Sequence, residues 1–278
     1  AGNNFSLYSM EKNISRVFLK IKDTGLYHIR TEILFSIICG LCYLHNTLLP
    51  FIQKQPEVSV VLSNGELYTF SPTREECKEY DTSKFIVDEE KVKTLVTDFD
   101  LVCNTDKVLD IFIVFFVGSL VGAIAFFFLI DRIGRRISLI ISLFSYSVIL
   151  LVMFFSWNLP LIYITYFLSG ACYGFIPNVL VVYVTEITAT GIRAAYISVI
   201  IIFSTIMRLI NHLLFDHVNN WRPFILSGSI GFFLLSIASY FWVDESPRFL
   251  VNLGDYEKFK QIMIKIAKFN SVEYITEE

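Results

Sequence analysis

The sequence predicts an all-α membrane protein: a bundle of six transmembrane helices with a polar loop after the first and an amphipathic helix near the C-terminal end. Three observations predict it. Hydrophobic residues make up 54% of the 278, including 27 Phe, and the mean hydropathy is +0.58; a globular core cannot hide that much apolar surface, so the excess must face lipid. Six stretches are long enough, at roughly 20 mostly apolar residues and 1.5 Å of rise each, to cross about 30 Å of hydrocarbon. Basic side chains gather in alternate connections, as they do in chains that cross a membrane repeatedly.

Residues 1–29 mix basic, acidic and apolar side chains without a secretory apolar core and are expected on the inner side. The bundle then occupies 30–243, with spans near 30–50, 108–130, 137–157, 161–184, 194–215 and 223–243. Three of the connections are short, so neighbouring spans run antiparallel. The long one, 51–107, holds Pro56, Asn64, Gly65, Pro72 and the acids Glu75, Glu76, Glu79 and Asp81, and it cannot sit in lipid. Its acids outnumber its bases, which is the character of an exoplasmic loop. Lys12, Arg16, Lys20, Lys22 and Arg30 precede the first span, Arg132, Arg135 and Arg136 fill the second connection, and Arg193 sits in the fourth. By the positive-inside bias these connections and both termini are inside. In the final inner-side segment, 244–278, residues Phe259, Ile262, Met263, Ile266 and Phe269 share one helical face and the lysines take the rest.

Several function classes fall away. Only 18% of residues are charged and the net charge is −3, so nothing suggests nucleic-acid binding, which calls for a dense basic surface. The five cysteines show no C-x-x-C pair joined to a second ligand pair, and the four histidines lack ligand spacing. No GxSxG and no Gly-rich phosphate loop is present, so neither an enzyme, a metal nor a cofactor is expected.

The stretch FFFLIDRIGRR, 126–136, is informative position by position. Its DRIGRR resembles the D-R-x-G-R-R turn of the major facilitator superfamily. VTDFDLVC (96–103), VYVTEI (182–187) with Arg193, and ESPRFL (245–250) with Gly254 and IAKFN (266–270) resemble segments of the organic cation and anion transporters within that superfamily. The resemblance covers most of residues 30–270, in order. It implies the amino-terminal six-helix half of a transporter whose substrate sits near the midplane between two halves, access alternating as the halves rock. It also implies an inner gate in which Gly134 makes the tight turn. The gate's charges come from Asp131, Arg132, Arg135 and Arg136, with Glu186 pairing to Arg135, and from Arg193, Glu245 and Arg248. The implied partners are the lipid bilayer, a second six-helix half or other membrane subunits, and a small organic ion. The implied location is the plasma membrane, with an organelle membrane such as the mitochondrial inner membrane as the alternative.

Departures from the family pattern open a second reading, a transport-inactive half that serves as an accessory subunit of a larger membrane complex. Phe127 stands where the family has a gap-making glycine, and the six spans make up one half of the family's twelve. The long loop is short for the family, with Cys77 and Cys103 either joined in a disulfide or left as two thiols. Asn-x-Ser/Thr sequons begin at Asn4 and Asn13 and not within 51–107.

Residues at bilayer depth mark a possible substrate cavity. Arg208 lies inside the fifth span with Asn211 and His212 a turn on; either it faces a cavity as a cation for an organic anion, or it lies near the outer interface and snorkels. Pro177 and Asn178 are expected to interrupt the fourth span beside Gly170 and Gly174. Tyr163, Tyr166, Tyr173 and Tyr183 offer either aromatic faces or packing. Trp157, Trp221 and Trp242 at span ends read as belt residues.

Overall fold

Long apolar runs, punctuated by asparagine, glycine and proline, fold into long helices with short connections. The structure, a computed structural model, describes residues 24–47, 56, 58–61, 67–70, 77, 86–87, 93–215 and 220–272. Among the described residues the long helices are α1 (Leu26–Thr47), α3 (Thr105–Ile133), α4 (Arg135–Phe154), α5 (Leu159–Ile187), α6 (Arg193–Phe215) and α7 (Trp221–Trp242). Five of them, α3 to α7, are long and apolar enough to cross a membrane. Helix α1, with 22 residues, carries His28, Arg30, Glu32 and His45 and is not among the five.

Several of these helices begin earlier than their apolar runs because polar residues cap them. Asn104, Asn158 and Asn220 each accept a backbone N–H from the first turn of α3, α5 and α7. The expected interruption of the fourth span does not occur: α5 continues through Pro177, and Asn178 Nδ2 donates to the Gly174 carbonyl at 2.7 Å. Packing against a neighbour holds the helix where proline alone would break it. That neighbour is α3. A Cβ added at Gly118 or Gly122 would strike the backbone of Phe167 or Ala171, and one at Gly170 or Gly174 the backbone of Phe115 or Ser119. The four glycines form two small-xxx-small pairs that bring the two backbones together.

The other extensive long-helix contacts are α4 with α7, α1 with α6, and α4 with α5, with slighter ones between α1 and α7 and between α1 and α5. Exchanging the first three long helices for the last three turns the α3–α5 pair into α6–α1 and returns α4–α7 to itself. This is the pattern of two three-helix repeats. The interior holds Phe35, Tyr146, Tyr166, Tyr183 and Phe232, while Leu120, Phe127, Phe128 and Phe241 point outward and exposed, the distribution of a protein whose solvent is lipid.

Among the described residues of the long loop, β1 (Val58–Val61) lies between β2 (Leu67–Phe70) and β3 (Ile86–Val87) in an antiparallel sheet. A short helix, α2 (Leu95–Asp98), follows, started by a capping box at Thr94. Cys77 and Cys103 are joined in a disulfide. After α7 come α8 (Pro247–Leu253), closed by Gly254 in the left-handed conformation, and α9 (Tyr256–Phe269). Asp255 caps α9, and the hydrogen bond from the Lys258 side chain holds its carboxyl below the usual range. Met263 and Ile266 of α9 are fully buried with Tyr27 and Ala189, Phe259 and Ile262 pack beside them, and Phe269 is half exposed, edge-on to Tyr27.

Candidate functional site

The tight connection between α3 and α4 is one residue, Gly134, at φ +97°, a conformation that side chains rarely adopt. A Cβ there would also meet Glu245 Oε2 at 2.6 Å. The turn therefore needs glycine twice over, and it delivers Arg135 into the bundle, only 5% exposed.

A buried guanidinium needs partners. Nε of Arg135 donates to both carboxylate oxygens of Glu186 at 3.1 and 2.9 Å, and Nη2 donates to Glu186 Oε1 and to Asp131 Oδ1, each at 2.8 Å. Nη1 donates to the Ile130 carbonyl at 3.2 Å, closing the end of α3. The group lies over the Phe249 ring, 4.5 Å from its centroid. Glu245 serves the backbone of the same residue: its Oε1 accepts the N–H groups of Arg135, Arg136 and Ser246 at 2.9, 3.2 and 3.0 Å. Since Gly134 has no side chain to cap α4, a carboxylate from 110 positions away does so and meets the positive end of the helix dipole.

The remaining members of the expected gate are less central. Asp131 keeps 73% of its side chain exposed while pairing with Arg135, and Arg132 is exposed. Arg136 donates to the Tyr240 carbonyl at 2.7 Å. Arg193 Nε reaches the Thr188 carbonyl at 3.4 Å, and Arg248 stands half-buried on α8. A second cap in trans lies at the same end, where Asn270 Oδ1 accepts the N–H of Tyr27 at 2.9 Å and so finishes the start of α1. Lys265 and Asp244 pair at 2.6 Å beside it.

At the loop end of the bundle stands an arrangement the sequence reading missed. Arg222 Nε donates to Asp98 Oδ2 at 2.8 Å, Nη1 to the Phe154 carbonyl at 2.7 Å and Nη2 to the Ser156 carbonyl at 3.1 Å. One arginine thus closes the C-terminal end of α4 and ties it to α2. Trp221 is buried, not a belt residue, and donates to the same Asp98 oxygen at 2.9 Å. Trp157 is 83% exposed. Asp98 sits in VTDFDLVC; its partner, 124 positions on, leaves no local signal.

Of the expected cavity residues, Arg208 and Tyr173 come onto one wall, joined by Tyr43. The Arg208 guanidinium lies 4.1 Å from the Tyr43 ring centroid, and the Tyr43 and Tyr173 rings meet edge-on at 5.8 Å. Nε of Arg208 is buried without a hydrogen-bond partner among the described residues. Asn178 is exposed on α5, more than a turn from Tyr173. Asn211 and His212 are on α6, but their side chains lie outside the described residues. Tyr166 and Tyr183 are buried packing residues, and Tyr163 donates to the Lys107 carbonyl at 3.3 Å.

Comparison with known proteins fits this geometry. The family described as "Sugar (and other) transporter" matches residues 59–276. The chain belongs to this family, within the major facilitator superfamily. Curated relatives include organic anion transporter 3 of Mus musculus, 34% identical over 183 residues (64% of this chain, 33% of that protein). Organic cation/carnitine transporter 2 of Rattus norvegicus is 30% identical over 185 residues, covering 65% of this chain and 33% of that protein. The chain thus spans about a third of the length of the curated relatives it matches. The inward-open structure of the E. coli xylose transporter XylE, at 16% identity, superposes with a TM-score of 0.53 over 86% of this chain and 55% of that one, so the facilitator fold is shared. As a family member, this is a multi-pass membrane protein.

Proposed function

We propose that the chain is the amino-terminal six-helix half of an organic-ion transporter that works by alternating access. In this reading α1 also crosses the membrane, as the first of six spans, the arginine-rich end is the inner face, residues 1–29 and 244–278 lie inside, and 51–107 lies outside. The observation that carries it is the cluster on Arg135. One buried cation joins α3, α4 and α5 through Asp131, Ile130 and Glu186, and Glu245 ties in the segment after α7. Such a cluster makes that end move as one body, as a rocking half requires. Arg132, Arg136, Arg193 and Arg248 surround it as the positive rim. The wall of Arg208, Tyr43 and Tyr173 is then the part of the half that meets a small organic ion, with Asn178 on α5 and Asn211 on α6 beside it in sequence.

The test is uptake of a labelled organic anion and a labelled organic cation into proteoliposomes, using the assembly isolated with this chain in mild detergent. Saturable uptake of either supports transport; none, in an intact assembly, removes it. A second reading, an accessory subunit without transport, has one specific observation behind it: Phe127, 71% exposed, fills the position where the family keeps a gap for a helix of the other half. Copurification separates the two, since a second six-helix unit supports transport and stoichiometric enzyme subunits support the scaffold.

A further inference from the structure

A groove runs between α3, α4 and α5, on the side of α5 away from Tyr173. Successive residues of a helix turn by about 100°, so Ala171, Cys172 and Phe175, which line the groove, stand roughly opposite Tyr173 and the Arg208 wall. Its floor is made of small residues, Gly122, Ala125 and Ala171, and its cavity volume is ≈ 220 Å³. Along α4 it is edged by Ser138, Ser142 and Ser145. These span about 10 Å at 1.5 Å per residue, a third of the hydrocarbon thickness. The exposed face of α4 beside it is apolar throughout, with Ile137, Ile141, Phe144 and Val148, so the groove opens toward the lipid.

The polar atoms at its edge are not equivalent. Ser142 Oγ donates to the Leu139 carbonyl at 2.9 Å. Ser138 is 4% exposed, and its Oγ has no hydrogen-bond partner among the described residues. A buried hydroxyl left unpaired costs about 1–3 kcal/mol, so a ligand that accepts a hydrogen bond there is favoured. Ser138 stands one turn from Arg135, at the arginine-rich end, with exposed Arg132 next to groove residue Ile133.

We infer that this groove holds one acyl chain of an inner-leaflet glycerolipid, whose ester carbonyl accepts the Ser138 hydroxyl while the chain lies over Gly122, Ala125 and Ala171. The depth of Ser138, the apolar rim and this buried unpaired donor match that chemistry: one acceptor at the interface and a hydrocarbon tail beyond it. The assignment takes the inner leaflet from the transport topology, but lipid occupancy is read independently of uptake, so the two can fail separately.

The experiment uses the whole chain, in the assembly in which it is isolated, reconstituted into phosphatidylcholine vesicles doped with a phosphatidylcholine that carries a diazirine on one acyl chain. After illumination the adducts are mapped by mass spectrometry. The inference expects adducts concentrated on groove residues of α3, α4 and α5, reduced about fivefold by Ser138→Ala, the equivalent of one ordinary hydrogen bond. Ala125→Trp should abolish them by filling the groove. Where Ala125→Trp fails to fold, Ser138→Ala still decides, since it removes one oxygen and leaves the packing unchanged. Adducts spread evenly over exposed α3 and α4 and indifferent to Ser138→Ala would overturn the inference. So would labelling that spares the groove while marking Phe144 and Val148, which means another helix covers it, and so would occupancy by a photoactivatable sterol that excludes the phospholipid.

Discussion

Arg135 and Asp131 share an ion pair and differ in what the pair is worth. Arg135 is buried and holds Glu186 by two nitrogens, so Arg135→Ala leaves two carboxylates without their cation and should cost about 3–5 kcal/mol. Asp131 is 73% exposed, and Asp131→Asn should cost about 1 kcal/mol or less. Glu186→Ala should resemble Arg135→Ala, and the double substitution should be no worse than either single one, because the interaction can be lost only once. Thermal unfolding in detergent, with uptake measured beside it, checks all four variants; additive losses for Arg135 and Glu186 would show that they do not act as a pair. Glu186 with Arg135 was legible because both sit in short motifs whose order along the chain places them at one end. Tyr43 was not. A tyrosine in an apolar helix carries no mark that tells stacking under a guanidinium from packing, and only the α1–α6 pairing puts it under Arg208.

Among the helices, the α3–α5 crossing depends on glycine more than on any apolar side chain. Gly122→Leu should prevent folded, monodisperse protein from forming, since even a Cβ at that site collides with the Ala171 backbone. Gly191→Ala, where a Cβ meets nothing within 4 Å, should leave the melting temperature unchanged within a degree or two. Size-exclusion profiles and thermal melts of the two variants test this, and tolerance of leucine at Gly122 would mean that the helices are not in backbone contact. Length and hydropathy predict six spans, and the five that are long and apolar enough to cross a membrane end within about three residues of their expected bounds; what caps them was not legible. The caps that set the first turns of α1 and α4 come from Asn270 and Glu245, 243 and 110 positions away, and no local pattern announces a cap supplied in trans. Pro177 misled for a related reason. Proline weakens an isolated helix, yet here the neighbouring backbone of α3 supports α5 along the turns before it.

For the molecule as a whole, charge asymmetry and the disulfide agree. The loop with Cys77–Cys103 should face the oxidising side and the Arg135 end the reducing side. In sealed vesicles a protease should reach 51–107 only from the side opposite the C-terminus; cleavage of both segments from one side would refute the topology. The Arg208 wall then belongs to the middle and outer depth of the bundle. Its position tests the central claim, that this chain forms half of a pathway for an organic ion, most directly. In a variant with Cys39, Cys42 and Cys172 replaced by alanine, Arg208→Cys is exposed to a membrane-impermeant thiol reagent with and without a transported organic ion. A water-filled pathway predicts labelling that the ion slows severalfold. A thiol that no reagent reaches from either side, in an assembly that is otherwise intact, would mean that protein or lipid fills the space beside Tyr43 and would contradict the transport account.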